Sequence, residues 1–211
     1  MAERIALIDY GAGNLHSVAN ALKAAGAGTV EITASAAVVA CADRIVLPGV
    51  GAFGACAAAL RALPGMTEAM TVRVIGGGVP FLGICVGYQA MFERSEEFNS
   101  CAAGLGFFKG SVVRFPEGQG LKIPQIGWNQ IEITQPDCPL YQDVEDGSHV
   151  YFVHSFHPKP EDESIAATRT TYGVDFVSSV WRDNVFATQF HPEKSQRVGL
   201  KILENFVGLA G

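Results

Sequence analysis

The stretch V-P-F-L-G-I-C-V-G at residues 79–87 decides the fold. Val79 to Ile84 is an apolar run that reads as a buried strand, and a helix is expected from Gly87 to Arg94. Between them, Gly83-Ile84-Cys85-Val86-Gly87 has the form of a nucleophile elbow, with Cys in place of Ser. The flanking glycines permit a tight, strained turn that exposes the side chain. A thiol at a helix N-terminus is favoured as thiolate. The Val86 N–H points toward the same space, where it could help bind an oxyanion. A lone cysteine between glycines would be a small buried filler. Its setting between strand and helix points to a nucleophile, which then requires a base.

Upstream, Arg4 to Asp9 is a short apolar run ended by Tyr10-Gly11-Ala12-Gly13, and Asn14 is placed to cap a helix reaching about Ala25. Thr29–Thr33 and Arg44–Leu47 read as strands, the latter broken by Pro48-Gly49-Val50-Gly51. Helices follow over about Phe53–Ala62 and Met66–Ile75. Alternating strands and helices imply a parallel sheet with crossovers, and near-continuous apolar strands fit burial on both faces. After about residue 105 strand-like runs succeed one another: Ser111–Phe115, Trp128–Ile133, Val150–Val153, Ile165–Thr170, Phe176–Trp181 and Val185–Gln189. Arg182-Asp183-Asn184 is a hairpin turn by composition. A last amphipathic helix is expected over about Ser195–Leu209. The class is therefore α/β: a mostly parallel central sheet flanked by helices, with antiparallel strands in the C-terminal half. One domain over residues 1–211 is expected.

Bulk properties agree. The chain has 211 residues, 48% hydrophobic and 17% charged, with 24 glycines, which suits a packed enzyme and not a disordered chain. Net charge is −6 without a basic run, so nucleic acid is not an expected partner. Met1-Ala2-Glu3-Arg4 leads into only four apolar residues before Asp9, short of a secretory core, and no stretch approaches a membrane span. The five cysteines are scattered without zinc spacing, so a reducing cytoplasm is expected, with no metal or cofactor.

The base is offered by Q-F-H-P-E at residues 189–193. A strand delivers His191, Pro192 stops the strand, and Glu193 is close enough to orient the imidazole. Nucleophile, base and orienting carboxylate then follow in the order Cys85, His191, Glu193. A second oxyanion donor could come from Gly49 and Val50, if the third strand lies beside the one carrying Cys85. On local sequence the same residues read equally well as a plain glycine-rich turn.

G-I-C-V-G-Y-Q (83–89), with F-H-P-E about a hundred residues later, resembles the class I (triad) glutamine amidotransferases over essentially the whole chain. More narrowly, I-D-Y-G-A-G-N-L-H-S-V (8–18), L-P-G-V-G-A-F (47–53), P-Q-I-G-W-N (124–129) and Q-F-H-P-E-K-S (189–195) are similar to the glutaminase subunits of imidazole glycerol phosphate synthases. The resemblance implies that Cys85 attacks the side-chain carbonyl of L-glutamine and that His191 protonates the departing ammonia, with Glu193 orienting it. It implies an oxyanion site from Gly49, Val50 and Val86, with a peptide rotation at Val50 turning its N–H inward. It assigns substrate binding to Gln89, to Glu97 (or Glu96 if the register slips by one) and to the backbones of His154 and Ser155. It implies ammonia transfer to a cyclase subunit in a heterodimer, making imidazole glycerol phosphate and an aminoimidazole carboxamide ribotide for histidine biosynthesis. Lys194, Tyr10, Asn14, Trp128 and Asn129 are candidates for the docking face, although Trp128 also reads as a half-buried strand aromatic. Tyr88, Gln125 and Lys109 depart from the usual Met, His and Pro. The competing readings are a glutaminase for another synthase, a non-catalytic regulatory homologue and a cysteine hydrolase on a related fold.

Overall fold

The computed structural model describes residues 3–97, 102–118 and 120–209. Cys101, one of the five cysteines, lies outside the described residues. Strand and helix alternate first: β1 (Arg4–Ile8), α1 (Leu15–Ala24), β2 (Thr29–Thr33), α2 (Ala36–Ala40), β3 (Arg44–Gly49), α3 (Phe53–Ala62), α4 (Met66–Thr71), β4 (Phe81–Cys85) and α5 (Val86–Gln89). Strands then take over: β5 (Phe92–Ser95), β6 (Phe108–Arg114), β7 (Gln125–Gln130), β8 (Glu132–Ile133), β9 (His149–His154), β10 (Phe156–Pro160), β11 (Ala166–Tyr172), β12 (Val174–Arg182) and β13 (Val185–Thr188). Helix α6 (Gln196–Val207) follows.

The main sheet has eight strands in the order β2-β1-β3-β4-β13-β12-β11-β8. From β2 to β13 the neighbours are parallel, and beyond β13 they are antiparallel. Every residue of β3, β4 and β13 is buried, as parallel strands covered on both faces require. Two small sheets complete the fold, β10-β6-β5 and β7-β9. The hairpin at Asp183-Asn184 forms as expected, with Arg182 paired to Val185 and Asp183 at φ 55°.

Several boundaries differ from the sequence reading. The helix expected from Gly87 to Arg94 is a single turn, α5, after which Phe92–Ser95 pairs with β6. Residues 86–92 are buried throughout, so their apolar pattern could not separate helix from strand. The side chain of Asn14 makes no cap; its backbone carbonyl accepts from Val18 instead. Helix α4 stops at Thr71 and continues as a π-helical turn, Val72–Gly76. The run Trp128–Ile133 is split, because β7 pairs with β9 whereas β8 pairs with β11. Strand β10 reads poorly as a strand because of Pro158 and Pro160. It is tolerated at the edge of its sheet, where missing N–H donors are harmless.

Two glycines hold β3 against the turn after β4. A Cβ on Gly49 would lie 2.6 Å from the Gly87 amide nitrogen, and a Cβ on Gly87 would lie 1.9 Å from the Leu47 carbonyl oxygen. Both obstacles are backbone, so neither moves cheaply. Gly87→Ala is therefore expected to lower unfolding stability by about 3 kcal/mol. Gly76→Ala, where a Cβ meets nothing within 4 Å, should change it by less than about 0.5 kcal/mol. Urea midpoints of the two variants check the contrast.

Candidate active site

Strand β4 ends in Cys85, at φ 55° and ψ −109°. A non-glycine residue there stores on the order of 1–3 kcal/mol of strain, tolerated only where the surroundings over-determine the backbone. The parallel register sets Gly49 opposite Cys85, so the Gly49–Gly51 loop lies beside the sulfur. The helix behind Cys85 has only four residues. A macrodipole of the expected size is therefore absent, and the local N–H groups of the turn are what remains.

The imidazole arrives from the other side of β4. Thr188 of β13 pairs with Ile84, one residue before the elbow. The chain that follows is pinned at several points. Thr188 Oγ1 donates to the Phe190 carbonyl at 3.0 Å, and the His191 N–H donates to the Tyr151 carbonyl at 2.9 Å. Ser195 Oγ donates to the His191 carbonyl at 2.6 Å and accepts the Tyr151 N–H at 3.0 Å. The ring has little freedom left. Its Nδ1 lies 2.7 Å from Glu193 Oε1, with both side chains buried. A carboxylate only accepts, so Nδ1 carries the proton. Nε2 is buried without a regular hydrogen bond among the described residues, yet the Cys85 thiol is near enough to act on its charge. Burial draws the His191 pKa down. Interactions with Cys85 and Glu193 outweigh that and raise it to about 10.

A cavity of about 380 Å³ opens over these groups. Cys85, His191, Val50 and Val86 line it, together with Gln89, Glu97, His154, Ser155 and Lys194. Gly49 lies beneath, in the strand. Glu97 lines the cavity, whereas Glu96 is exposed and does not. Glu97 Oε2 accepts the Phe53 N–H at 2.6 Å, at the first turn of α3. Gln89 Nε2 donates to the Phe156 carbonyl at 2.9 Å and to Gln189 Oε1 at 3.2 Å, leaving its own Oε1 for a ligand. His154 is held neutral by burial, its pKa lowered to about 3. Its Nδ1 faces the Phe156 carbonyl at 2.8 Å and its Nε2 faces the Gln125 amide at 3.0 Å. The carbonyl needs a donor, so Nε2 is the acceptor and Gln125 must present its NH₂ there. The unusual Gln125 thus supports the ring. Tyr88, also unusual, is fully buried and donates to the Val177 carbonyl at 3.3 Å. Lys109 is exposed on β6.

The docking-face candidates divide. Lys194, Asn14 and Trp128 are exposed. Trp128 meets Tyr151 edge to face, and Lys194 Nζ stands 6.0 Å over the same ring. Ile126 and Val50, which the sequence reading did not single out as surface, are 62% and 42% exposed. Tyr10 is not on the surface: its ring is buried, with its hydroxyl close beneath Gly49. Asn129 points away from Trp128, because side chains alternate along β7, and it bonds the Thr171 carbonyl at 2.9 Å. Sequence reasoning also missed Ser195, which pins His191, and Gln189, whose Nε2 lies 3.7 Å from Cys85 Sγ. A glutamine at the end of the run V-F-A-T-Q-F carried a signal, since a buried polar group needs a partner.

The chain is similar to known proteins. The family described as "Glutamine amidotransferase class-I" matches residues 6–209. "Imidazole glycerol phosphate synthase subunit HisH" of Syntrophotalea carbinolica is 51% identical over 207 residues, covering 96% of this chain and 98% of that protein. The HisH subunits of Geobacter sulfurreducens and Aquifex aeolicus are 50% and 49% identical, covering 96% of this chain and 97% and 95% of theirs. In fold alone, the chain is similar to a crystal structure described as a glutamine amidotransferase, with a TM-score of 0.73 and 17% identity, covering 97% of this chain and 99% of that one. It is equally similar to a chain in the structure of PurLQS from Thermotoga maritima, with a TM-score of 0.73 and 19% identity, covering 98% of each. The chain belongs to the class I glutamine amidotransferases, and within them to the family of HisH subunits of imidazole glycerol phosphate synthase.

Proposed function

We propose that residues 1–211 act as one amidotransferase domain that hydrolyses L-glutamine through Cys85, His191 and Glu193, and that it passes the ammonia to a cyclase subunit in the cytoplasm. The observation that carries this is the His191–Glu193 pair at 2.7 Å, its other ring nitrogen unpartnered and coupled to a cysteine on a strained elbow. The thiolate attacks the side-chain carbonyl carbon of glutamine, and the resulting oxyanion is met by the N–H of Val86 and, once its peptide rotates away from the Tyr10 hydroxyl, by that of Val50. His191 gives its Nε2 proton to the departing nitrogen and ammonia leaves. The neutral imidazole then takes a proton from water, whose oxygen attacks the thioester, and collapse releases glutamate and the thiolate. Glu193 keeps the ring in one tautomer throughout. Gln89 Oε1 and Glu97 are suited to the α-ammonium of the substrate, and the backbones of His154 and Ser155 to its other polar groups.

The partner follows from the cavity mouth. Val50 and Lys194 line the cavity, and the exposed Ile126 and Trp128 continue from Pro124 at its rim. An apolar rim beside a polar site suits a protein partner. Among the described residues, no helix is long and apolar enough to cross a membrane.

Cys85→Ala should lower glutamine hydrolysis by about a thousandfold or more with the fold unchanged by circular dichroism; retained turnover would refute the nucleophile assignment. A second expectation concerns pH. His191 is raised from its ordinary value near 6.5 to about 10, so its charge stabilises the fold fully below about pH 6.5. That contribution is lost as pH rises toward 10. Urea midpoints across this range should fall in the wild type and be flatter in His191→Asn. Finally, hydrolysis should rise at least tenfold when the cyclase subunit of an imidazole glycerol phosphate synthase is added. Equal activity alone, or stimulation by a different synthase only, would overturn the partner.

A further inference from the structure

Gln189 sits one residue beyond β13, fully buried. Its side-chain orientation follows from its neighbours. The Phe156 carbonyl can only accept, so the Gln89 atom 2.9 Å from it is the nitrogen, Nε2. That same nitrogen meets the Gln189 amide at 3.2 Å, so the Gln189 atom there is the oxygen. By elimination, the end of Gln189 that lies 3.7 Å from Cys85 Sγ is the NH₂.

We propose that Gln189 is a positioning residue for the nucleophile, its side-chain N–H holding the Cys85 sulfur and favouring the thiolate while its Oε1 is anchored by Gln89. The idea rests on Cys85 being the nucleophile and goes beyond it. A further contact of the sulfur is the Val153 carbonyl at 4.0 Å, an acceptor that can take only the S–H. A neutral amide donor opposes that without adding a charge that would compete with His191. Because Gln89 also lines the cavity, the chain Phe156–Gln89–Gln189–Cys85 ties the substrate pocket to the sulfur through three hydrogen bonds.

The titratable groups around the sulfur come from other elements. His191, with Glu193 behind it, faces the thiol, and Tyr10 and Cys56 act on it from the loop after β1 and from α3. Glu97, His154 and Lys194 share the cavity. None is altered in Gln189→Leu, so a change in thiol titration in that variant reports the lost donor.

The test is alkylation of Cys85 by iodoacetamide as a function of pH, read by mass spectrometry on the intact chain. In Gln189→Leu the midpoint should rise by about one pH unit, which is about tenfold less thiolate at a given pH below it. In the isosteric Gln189→Glu, where an acceptor replaces the donor and a carboxylate charge is added beside the sulfur, it should rise further. With the cyclase present, kcat should fall about tenfold in Gln189→Leu while KM for glutamine changes less than twofold. Profiles that superimpose on the wild type in folded variants overturn the proposal. Should neither variant fold, the wild type decides. The ¹⁵N resonance of the Gln189 side chain must shift with the Cys85 alkylation midpoint, and a resonance that stays still overturns the proposal. The underlying reading fails separately: there, Cys85 of the unsubstituted chain is no more reactive than the other cysteines.

Discussion

Gly87 presses against the Leu47 carbonyl and Gly49 against the Gly87 amide, both too closely for any side chain. This backbone contact between the end of β3 and the turn after β4 constrains everything around it. The chain leaving β4 cannot run on past β3, so it reverses within one residue, and that residue, Cys85, takes a positive φ. The same contact sets the Gly49–Gly51 loop beside the sulfur. On the other flank, β13 runs parallel to β4 and releases its chain at the same edge. Three loops from the carboxyl ends of adjacent parallel strands thereby meet over one cavity, where open α/β sheets bind their ligands.

Once assembled, the site holds polar groups in a buried setting. His191 and Glu193 are almost wholly buried, and His191 Nε2 and Glu193 Oε2 have no hydrogen-bond partners among the described residues. Such groups are rare in native structures because each forfeits its solvation. Here they are arranged so that the losses are complementary: the carboxylate fixes the ring's proton on Nδ1, and Nε2 is left to share a proton with the thiol. In a low-dielectric setting that coupling outweighs the burial that would otherwise keep the imidazole neutral, whereas His154, buried without a carboxylate, is held neutral. Two buried histidines lining one cavity are thus driven in opposite directions by their neighbours.

The elbow, the parallel core and the candidate residues Cys85, His191 and Glu193 were legible because each is marked by local chemistry. Glycines mark the turn, apolar runs mark doubly covered strands, and Pro192 marks the exit from β13. What was not legible depended on contacts from afar. Residues 86–92 are buried on all sides, so periodicity carried no information there, and whether Phe92 continued a helix depended on β6. The two prolines of β10 disguised a strand that only its edge position permits. Tyr10 and Asn129 were read as surface because they stand in motifs beside exposed residues, yet one is covered by the elbow and the other faces β11. Gln189 stood inside a quoted motif and still went unassigned, since its partner sulfur lies 104 positions away.

The rim of the cavity completes the chemistry that the triad begins. Ammonia freed into open water is protonated and lost as a nucleophile, so a site that makes it for another reaction must open toward a second protein and not toward solvent. The two faces of strand β7 differ. Gln125 turns inward to support His154, and the strand's other face leaves Ile126 and Trp128 bare, with Lys194 standing over the adjoining Tyr151 ring. A partner covering that face would seal the mouth and lower the dielectric around the Cys85–His191 pair. The loop bearing Val50, which lines the cavity with its own side chain exposed, would be enclosed with it. Docking and catalysis are then coupled through a few residues at one edge of the sheet, and no signal has to cross the molecule.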